Sequence, residues 1–245
     1  MEMRKKMQEW RRQRSRVTRL VLLLVFGFLY FPVHAQSVAQ YPKTREALID
    51  RYRDEVIAHR NYAAFSEKAC SEGYPNIAHL FSALAESEGV HARNFKNLLK
   101  DLGVDSKDID IPANDKQVKS TKYNLEHAAT VEKDEIDNRY PEILAGIRDE
   151  HHDAAITAIT YAWEAEKQHR ELIVKIKNAA ITWFGFLVKR IEGKDAHYFV
   201  CQTCGSTLME LEGTACPICG QAMTGYHEVP GFTAKQCPVP DRDDW

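Results

Sequence analysis

The chain has 245 residues, 44% of them hydrophobic, with six cysteines and a formal net charge of −2. That is enough for one good core and a small second module. Residues 1–19 hold eight Lys/Arg against two Glu, a net +6, and residues 20–35 hold no charge, which leaves −8 on the rest. So acidic a body is not built to bind nucleic acid.

The N-terminus has the pattern of an export signal. A basic stretch ends at Arg19, and the run "LVLLLVFGFLYF" (Leu20–Phe31) is uncharged and almost wholly apolar. Crossing a bilayer takes about 20 apolar residues, and this run is shorter. Val33-His34-Ala35 offers small residues for cleavage. The expectation is a signal peptide over residues 1–35, cut after Ala35, and an exported, periplasmic protein. The alternative is an uncleaved N-terminal membrane anchor.

From Tyr41 to about Ile191 there is no strand-like alternation and little Gly or Pro. Four long helices are expected, over about 44–71, 76–102, 120–149 and 152–191. Pro141 should kink the third, because it lacks an N–H and crowds the preceding turn. Short turns join the first pair and the last pair, and "GVDSKDIDIPANDKQ" links the second helix to the third. This describes a mainly α protein, an up-down four-helix bundle with a single long crossover.

Each helix has an apolar seam interrupted by polar residues near mid-length. The first gives Leu48, Tyr52, Glu55, His59 and Tyr62; the second Ile77, Phe81, Leu84, Glu88, His91, Phe95 and Leu98. The third gives Leu125, Ala129, Glu132, Glu135 and Ile143; the fourth Ile159, Ala162, Glu166, His169 and Ile173. Five inward carboxylates need a cationic counterpart, since each unpaired one costs several kcal/mol. No Lys or Arg falls on the central turns of these seams unless Arg139 turns inward. Two metal ions would serve, each taking carboxylate oxygen and imidazole nitrogen. Glu88-Gly-Val-His91 and Glu166-Lys-Gln-His169 are both Glu-x-x-His, which sets the donors one turn apart on one face. Two such helices plus a Glu from each of the others is the donor set of di-iron carboxylate bundles. His59 reads as a core histidine or a support to Glu55; His127, His151 and His152 read as ordinary residues.

The second module shows in its cysteines. "CQTCG" (Cys201–Gly205) and "CPICG" (Cys216–Gly220) are two Cys-x-x-Cys knuckles that aim four thiolates at one point, a tetrahedral sulfur site for iron or zinc. Cys70 and Cys237 lack such spacing. Cys70 reads as a small core residue and Cys237 as exposed in the tail.

These motifs together resemble the rubrerythrin family over about Tyr41–Val229. "EVIAHRNYAAFSEKA" is similar to that family's first ligand helix, "ESEGVHARNF" to the second, "EKDEIDNRYP" to the third and "EAEKQHREL" to the fourth. The resemblance implies a ferritin-like di-iron bundle over 41–191, a rubredoxin-like domain over 196–230 and an unassigned tail over 231–245. It implies Glu55, Glu88, His91, Glu132, Glu135, Glu166 and His169 as ligands of two oxo-bridged iron ions, with Tyr62 near them. Cys201, Cys204, Cys216 and Cys219 would hold one further iron, or alternatively zinc. Glu135, the additional carboxylate, would ligate one iron in the ferric state and yield to His91 in the ferrous state. The implied activity is that of a non-haem peroxidase reducing hydrogen peroxide to water. Electrons from a donor protein would pass through the four-cysteine iron, between subunits of a head-to-tail homodimer. The alternative is a ferroxidase with a structural zinc ribbon.

Overall fold

The computed structural model describes residues 40–113, 118–181, 196–233 and 235–237. The expected signal peptide (1–35), the end of the fourth expected helix (182–191) and the last residues of the tail (238–245) lie outside them. Among the described residues no helix is long and apolar enough to cross a membrane.

Helix α1 spans Pro42–Ser71 and α2 spans Pro75–Asp101. Each has proline in its first turn, where a missing N–H leaves no bond unmade. Gly73, at φ 77°, ends α1, and Tyr74 N then donates to Ala69 O (2.9 Å). That left-handed residue turns the chain back into α2. After the crossover, α3 spans Thr121–Asp134, α4 Tyr140–Ile147 and α5 Asp153–Ile181.

Between α3 and α4 lies a π-helical turn, Glu135–Arg139. The sequence predicts a kink at Pro141, but the irregularity comes one turn earlier and in another form. Tyr140 N donates to Glu135 O, five residues back, and Pro141 falls in the first turn of α4, where its missing N–H is tolerated.

Two helix starts are capped from a distance. The Glu150 carboxylate accepts from Lys43 N (2.9 Å) and Thr44 N (2.8 Å) at the head of α1, and Glu72 accepts from Thr121 N (2.8 Å) at the head of α3. Each puts negative charge on otherwise unpaired N–H groups at the positive end of a helix.

Two apolar clusters fill the bundle. One holds Tyr62, Phe65, Phe81, Leu84 and Ile173, joined by Tyr198 and Val200 of the small module. The other holds Leu48, Phe95, Leu99, Tyr140, Ile147 and Ile159. Burying each large side chain is worth about 1.5–3 kcal/mol. Along α1, α2 and α5 the polar seam residues lie between these clusters, so apolar packing on both sides holds them in place.

The small module is a three-stranded antiparallel sheet in the order β2-β1-β3. Its strands are β1 Phe199–Cys201, β2 Thr207–Leu208 and β3 Tyr226–Glu228, with Val200 opposite both Thr207 and His227. It packs on the bundle of its own chain. Cys237 does not lie exposed in a tail, and Cys70 is not a free core thiol: the two form a disulfide, with Cα atoms 4.6 Å apart. Nothing in their spacing announces it, because 167 residues separate them.

Candidate metal centres

The seams converge. Oxygen and nitrogen atoms of Glu55, Glu88, His91 and Glu166 lie within 4.8 Å of one another, and so do those of Glu88, Glu132, Glu166 and His169. All these side chains are buried. Glu88 and Glu166 belong to both groups, so the arrangement is two adjacent positions with two shared carboxylates, each completed by one further Glu and one His. Nδ1 of His91 faces Glu88 Oε2 (3.0 Å) and Glu166 Oε1 (3.4 Å); Nδ1 of His169 faces Glu166 Oε2 (2.8 Å) and Glu88 Oε1 (3.3 Å).

The other nitrogen of each imidazole is fixed from outside. His91 Nε2 is 3.1 Å from Cys204 O, a carbonyl, so Nε2 carries a hydrogen and Nδ1 is the atom that would ligate a metal at the centre. His169 Nε2 donates to Ser87 Oγ (2.9 Å), with Thr207 Oγ1 at 3.3 Å, and Ser87 Oγ donates onward to Gly205 O (2.6 Å). Partners of this kind orient a ligand and raise its basicity, and here several come from the small module.

Without cations, the cluster is electrostatically unbalanced. Burial pushes the Glu55 carboxyl up to about 8, with the Glu88 and Glu166 charges adding to the effect. Burial, then Glu166 and Glu88, pushes Glu132 up as well. Burial also opposes ionisation of Glu166, but the His169 and His91 imidazoles outweigh it and hold that carboxyl well below its usual range. His169 is raised to about 9 despite burial, by Glu166 and Glu88. A carboxylate-rich donor set with two imidazoles fits two iron ions at these positions.

Two tyrosines complete the shell. Tyr62 OH donates to Glu132, and Tyr140 OH donates to Glu55 Oε1 (2.8 Å) with Glu166 Oε1 at 3.4 Å. The sequence reading included Tyr62 and missed Tyr140. Beyond Glu135 the π turn shifts the face by a residue, so Tyr140 and Ile147 are buried where the seam predicts Ile143, which is half-buried.

Glu135 stands apart from both donor groups. The expectation that it projects with Glu132 toward one metal pair is not met in this structure. Its carboxylate accepts from Arg51 Nη1 (2.5 Å) and from Arg139 Nη1, and both arginines also bind Asp54. Arg51 is almost fully buried, its guanidinium 5.2 Å from the centre of the Tyr140 ring. The bundle therefore does bury a cation, contrary to the reading of the seams. Burial raises the Glu135 carboxyl, and the two arginines oppose that rise. His59 differs too. It is exposed, with Nδ1 2.6 Å from Ala85 O, and touches none of the donors.

In the small module the four sulfurs meet. Cys201, Cys204, Cys216 and Cys219 lie within 4.8 Å of one another, with Sγ–Sγ distances of 3.8 Å (Cys201–Cys219) and 3.6 Å (Cys204–Cys216). Metal–sulfur bonds of about 2.3 Å in a tetrahedron require edges of about 3.8 Å. The two knuckles repeat one backbone pattern: Gly205 N donates to Cys201 O (2.9 Å) and Gly220 N to Cys216 O (3.0 Å). A hydrogen bond from Cys204, helped by backbone N–H groups, lowers the Cys201 thiol to about 5 even without metal. Tyr226 OH donates to Cys216 Sγ (3.1 Å). The site suits iron or zinc equally.

The two centres touch. Arg93 donates to Gln202 O, Asn94 Nδ2 to Thr203 O (2.8 Å) and His91 Nε2 to Cys204 O, so α2 lies along the whole first knuckle. Gly205, at φ 80°, sits so near that a Cβ there would lie 2.2 Å from His91 Nε2 and 2.8 Å from Ser87 Oγ.

A ferritin-like bundle with a paired carboxylate–histidine centre and an attached four-sulfur site defines a metal-binding oxidoreductase of the di-iron carboxylate class. A family model described as Rubrerythrin matches residues 46–177. The chain is similar to Rubrerythrin-2 of Clostridium acetobutylicum, 34% identical over 182 residues that cover 72% of this chain and 91% of that one. It is also similar to Nigerythrin of Nitratidesulfovibrio vulgaris, 28% identical over 77% of this chain and 88% of that one. A solved structure of fully reduced, all-ferrous nigerythrin superposes with a TM-score of 0.65 at 26% identity, over 76% of this chain and 86% of that one. The chain belongs to the rubrerythrin family.

Proposed function

We propose that this protein reduces hydrogen peroxide to water, taking two protons and two electrons per peroxide and releasing two waters. The observation that carries this reading is the hydrogen bond between Cys204 O and His91 Nε2. It joins a thiolate ligand of one centre to an imidazole ligand of the other through a single non-covalent step, within one chain where the family resemblance implies a relay between subunits. Besides orienting the imidazole, that contact gives electrons a short path from one centre to the other.

Two ferrous ions at the bundle positions would supply both electrons for cleaving the peroxide O–O bond. Glu55, Glu88, His91, Glu132, Glu166 and His169 would hold them. Tyr62 and Tyr140 keep hydroxyl protons on Glu132 and Glu55, at opposite ends of the pair. Arg51 and Arg139 keep Glu135 outside the centre while His91 faces it. In this reading Glu135 would leave the arginines as charge at the centre rises, and its carboxylate would be the group able to take the place of the neutral His91 imidazole. The electrons come from a donor protein and enter through the four-cysteine site, read here as iron.

Glu135→Gln tests this reading better than alanine, which would leave Arg51 buried beside Asp54 alone. The variant should keep its bundle metals yet react with hydrogen peroxide roughly 100-fold more slowly, the scale for loss of one positioned catalytic group. Stopped-flow mixing of the reduced protein with peroxide reads the rate. An unchanged rate, or a wild type that reacts far faster with oxygen than with peroxide, would replace the peroxidase by a ferroxidase.

Export and a homodimer belong to the same proposal. The charge pattern of residues 1–35 and the Cys70–Cys237 disulfide, a bond of oxidising compartments, support export. Protein from its native host should begin at or near Gln36 and sediment as a dimer. A chain still starting at Met1 would overturn cleavage, and a monomer would overturn the dimer.

A further inference from the structure

The residues after β3 do not trail away. Val229 N donates to Tyr198 O (2.8 Å), and Val229 O accepts from the buried His79 on α2 (2.7 Å). Gly231 passes so close to His79 that a Cβ there would lie 3.3 Å from its ring. Phe232 then packs against the cluster of Phe65 and Phe81. A turn follows in which Gln236 N (2.9 Å) and Cys237 N (3.0 Å) both donate to Thr233 O, while Gln236 Oε1 accepts from Thr233 N (2.9 Å) and Oγ1 (2.8 Å). That turn delivers Cys237, fully buried, to half-buried Cys70 in the last turn of α1. The small module thus meets the bundle at three places: its first knuckle lies on Ser87–Asn94, Ser206 and Thr207 donate to Gln168 of α5, and its trailing segment is bonded to the end of α1.

We propose that the Cys70–Cys237 disulfide is a redox-sensitive clamp that commits the four-cysteine module to the metal centre of its own chain. Closed, it ties the module's trailing end covalently, which keeps the knuckle at high effective concentration beside His91 and Ser87. Opened, it removes that covalent tie and leaves the module held by non-covalent contacts alone, its hydrogen bonds to α2 and α5 and the packing of Tyr198, Val200 and Val229 in the apolar cluster of the bundle. The module can then depart or engage a second copy. The clamp rests on the relay reading only for its consequence, which is where electrons are delivered.

Opening requires a dithiol reductant. One of its thiolates attacks Cys70 Sγ, the accessible sulfur, and Cys237 leaves as a thiolate that takes up a proton. The second thiol of the reductant then displaces Cys70. The S–S bond is broken, two electrons and two protons pass to the cysteine pair, and the reductant is left as a disulfide.

The test uses the full-length, metal-loaded protein as wild type, as Cys237→Ser, as Cys70→Ser, and as wild type opened with dithiothreitol. Small-angle scattering and amide exchange read the docked state. With the clamp open, the distance distribution should broaden, and exchange in residues 199–208 should rise about tenfold or more. The middle of α1 should exchange as before. The dithiothreitol arm involves no substitution, so a variant that fails to fold does not block the test. Unchanged scattering and exchange, with both thiols shown free by titration, would overturn the clamp. So would peptide mapping that finds both cysteines unbonded in protein prepared under oxidising conditions. No peroxide enters the measurement, so a protein with no peroxidase activity and a working clamp sinks only the functional reading.

Discussion

The two metal centres are built on opposite plans. The four-cysteine site is local: its ligands lie between Cys201 and Cys219, and two knuckles of the same backbone form each supply a pair of sulfurs. The bundle site draws on ligands from Glu55 to His169, one or two from each of four helices. A local site needs only its own turns. A distributed site needs the entire fold as its scaffold, because it gathers four carboxylates and two imidazoles into one buried space. The thiolate site is thus set by short-range geometry, whereas the carboxylate site is held by apolar packing on either side against its own electrostatics.

Ligand removal gives the largest contrast. Cys204→Ser should remove the metal of the four-cysteine site, and with it any strong ferric-thiolate absorption, while bundle metals stay near wild-type content. His169→Ala should lower affinity at one bundle position by at least about 10–100-fold, since loss of a mere supporting partner costs that much. Elemental analysis and a visible spectrum of each variant suffice. If Cys204→Ser also empties the bundle, the sites are not independent scaffolds and the contrast breaks.

A smaller effect should come from the seam between the centres. Gly205→Ala places a methyl group on His91 Nε2 and Ser87 Oγ and strains a left-handed residue, which itself costs roughly 1–2 kcal/mol. The knuckle must move away. Both sites should still load, but electron transfer from the four-cysteine site to the bundle, followed by flash reduction, should slow. An unaltered transfer rate would mean that the Cys204–His91 contact is not the path.

The motifs with short sequence separation were legible. Both Glu-x-x-His pairs, the knuckles, and the seams of the second and fourth helices follow from spacing alone. What the sequence hid required either a change of phase or a distant partner. The π turn at Glu135–Arg139 adds a residue to the helical repeat, so Tyr140 could not be found by counting in threes and fours, and Glu135 could not be aimed. Arg51 is buried because Glu135 reaches it from 84 positions away. The Cys70–Cys237 bond depends on how a C-terminal turn lies on α1, which no local pattern encodes.

The pinning of both imidazoles has a thermodynamic consequence. His91 and His169 face the bundle centre through Nδ1, while Cys204 O, Thr207 and the Ser87–Gly205 bond hold their far sides. Metal binding and module docking therefore make opposite demands on the same two rings at once, and each is satisfied by the tautomer the other requires. Linkage makes the coupling reciprocal. Whatever factor docking adds to the affinity of the bundle for its metals, the metals must add to the grip of the bundle on its module. A loaded centre would hold the four-cysteine module in place.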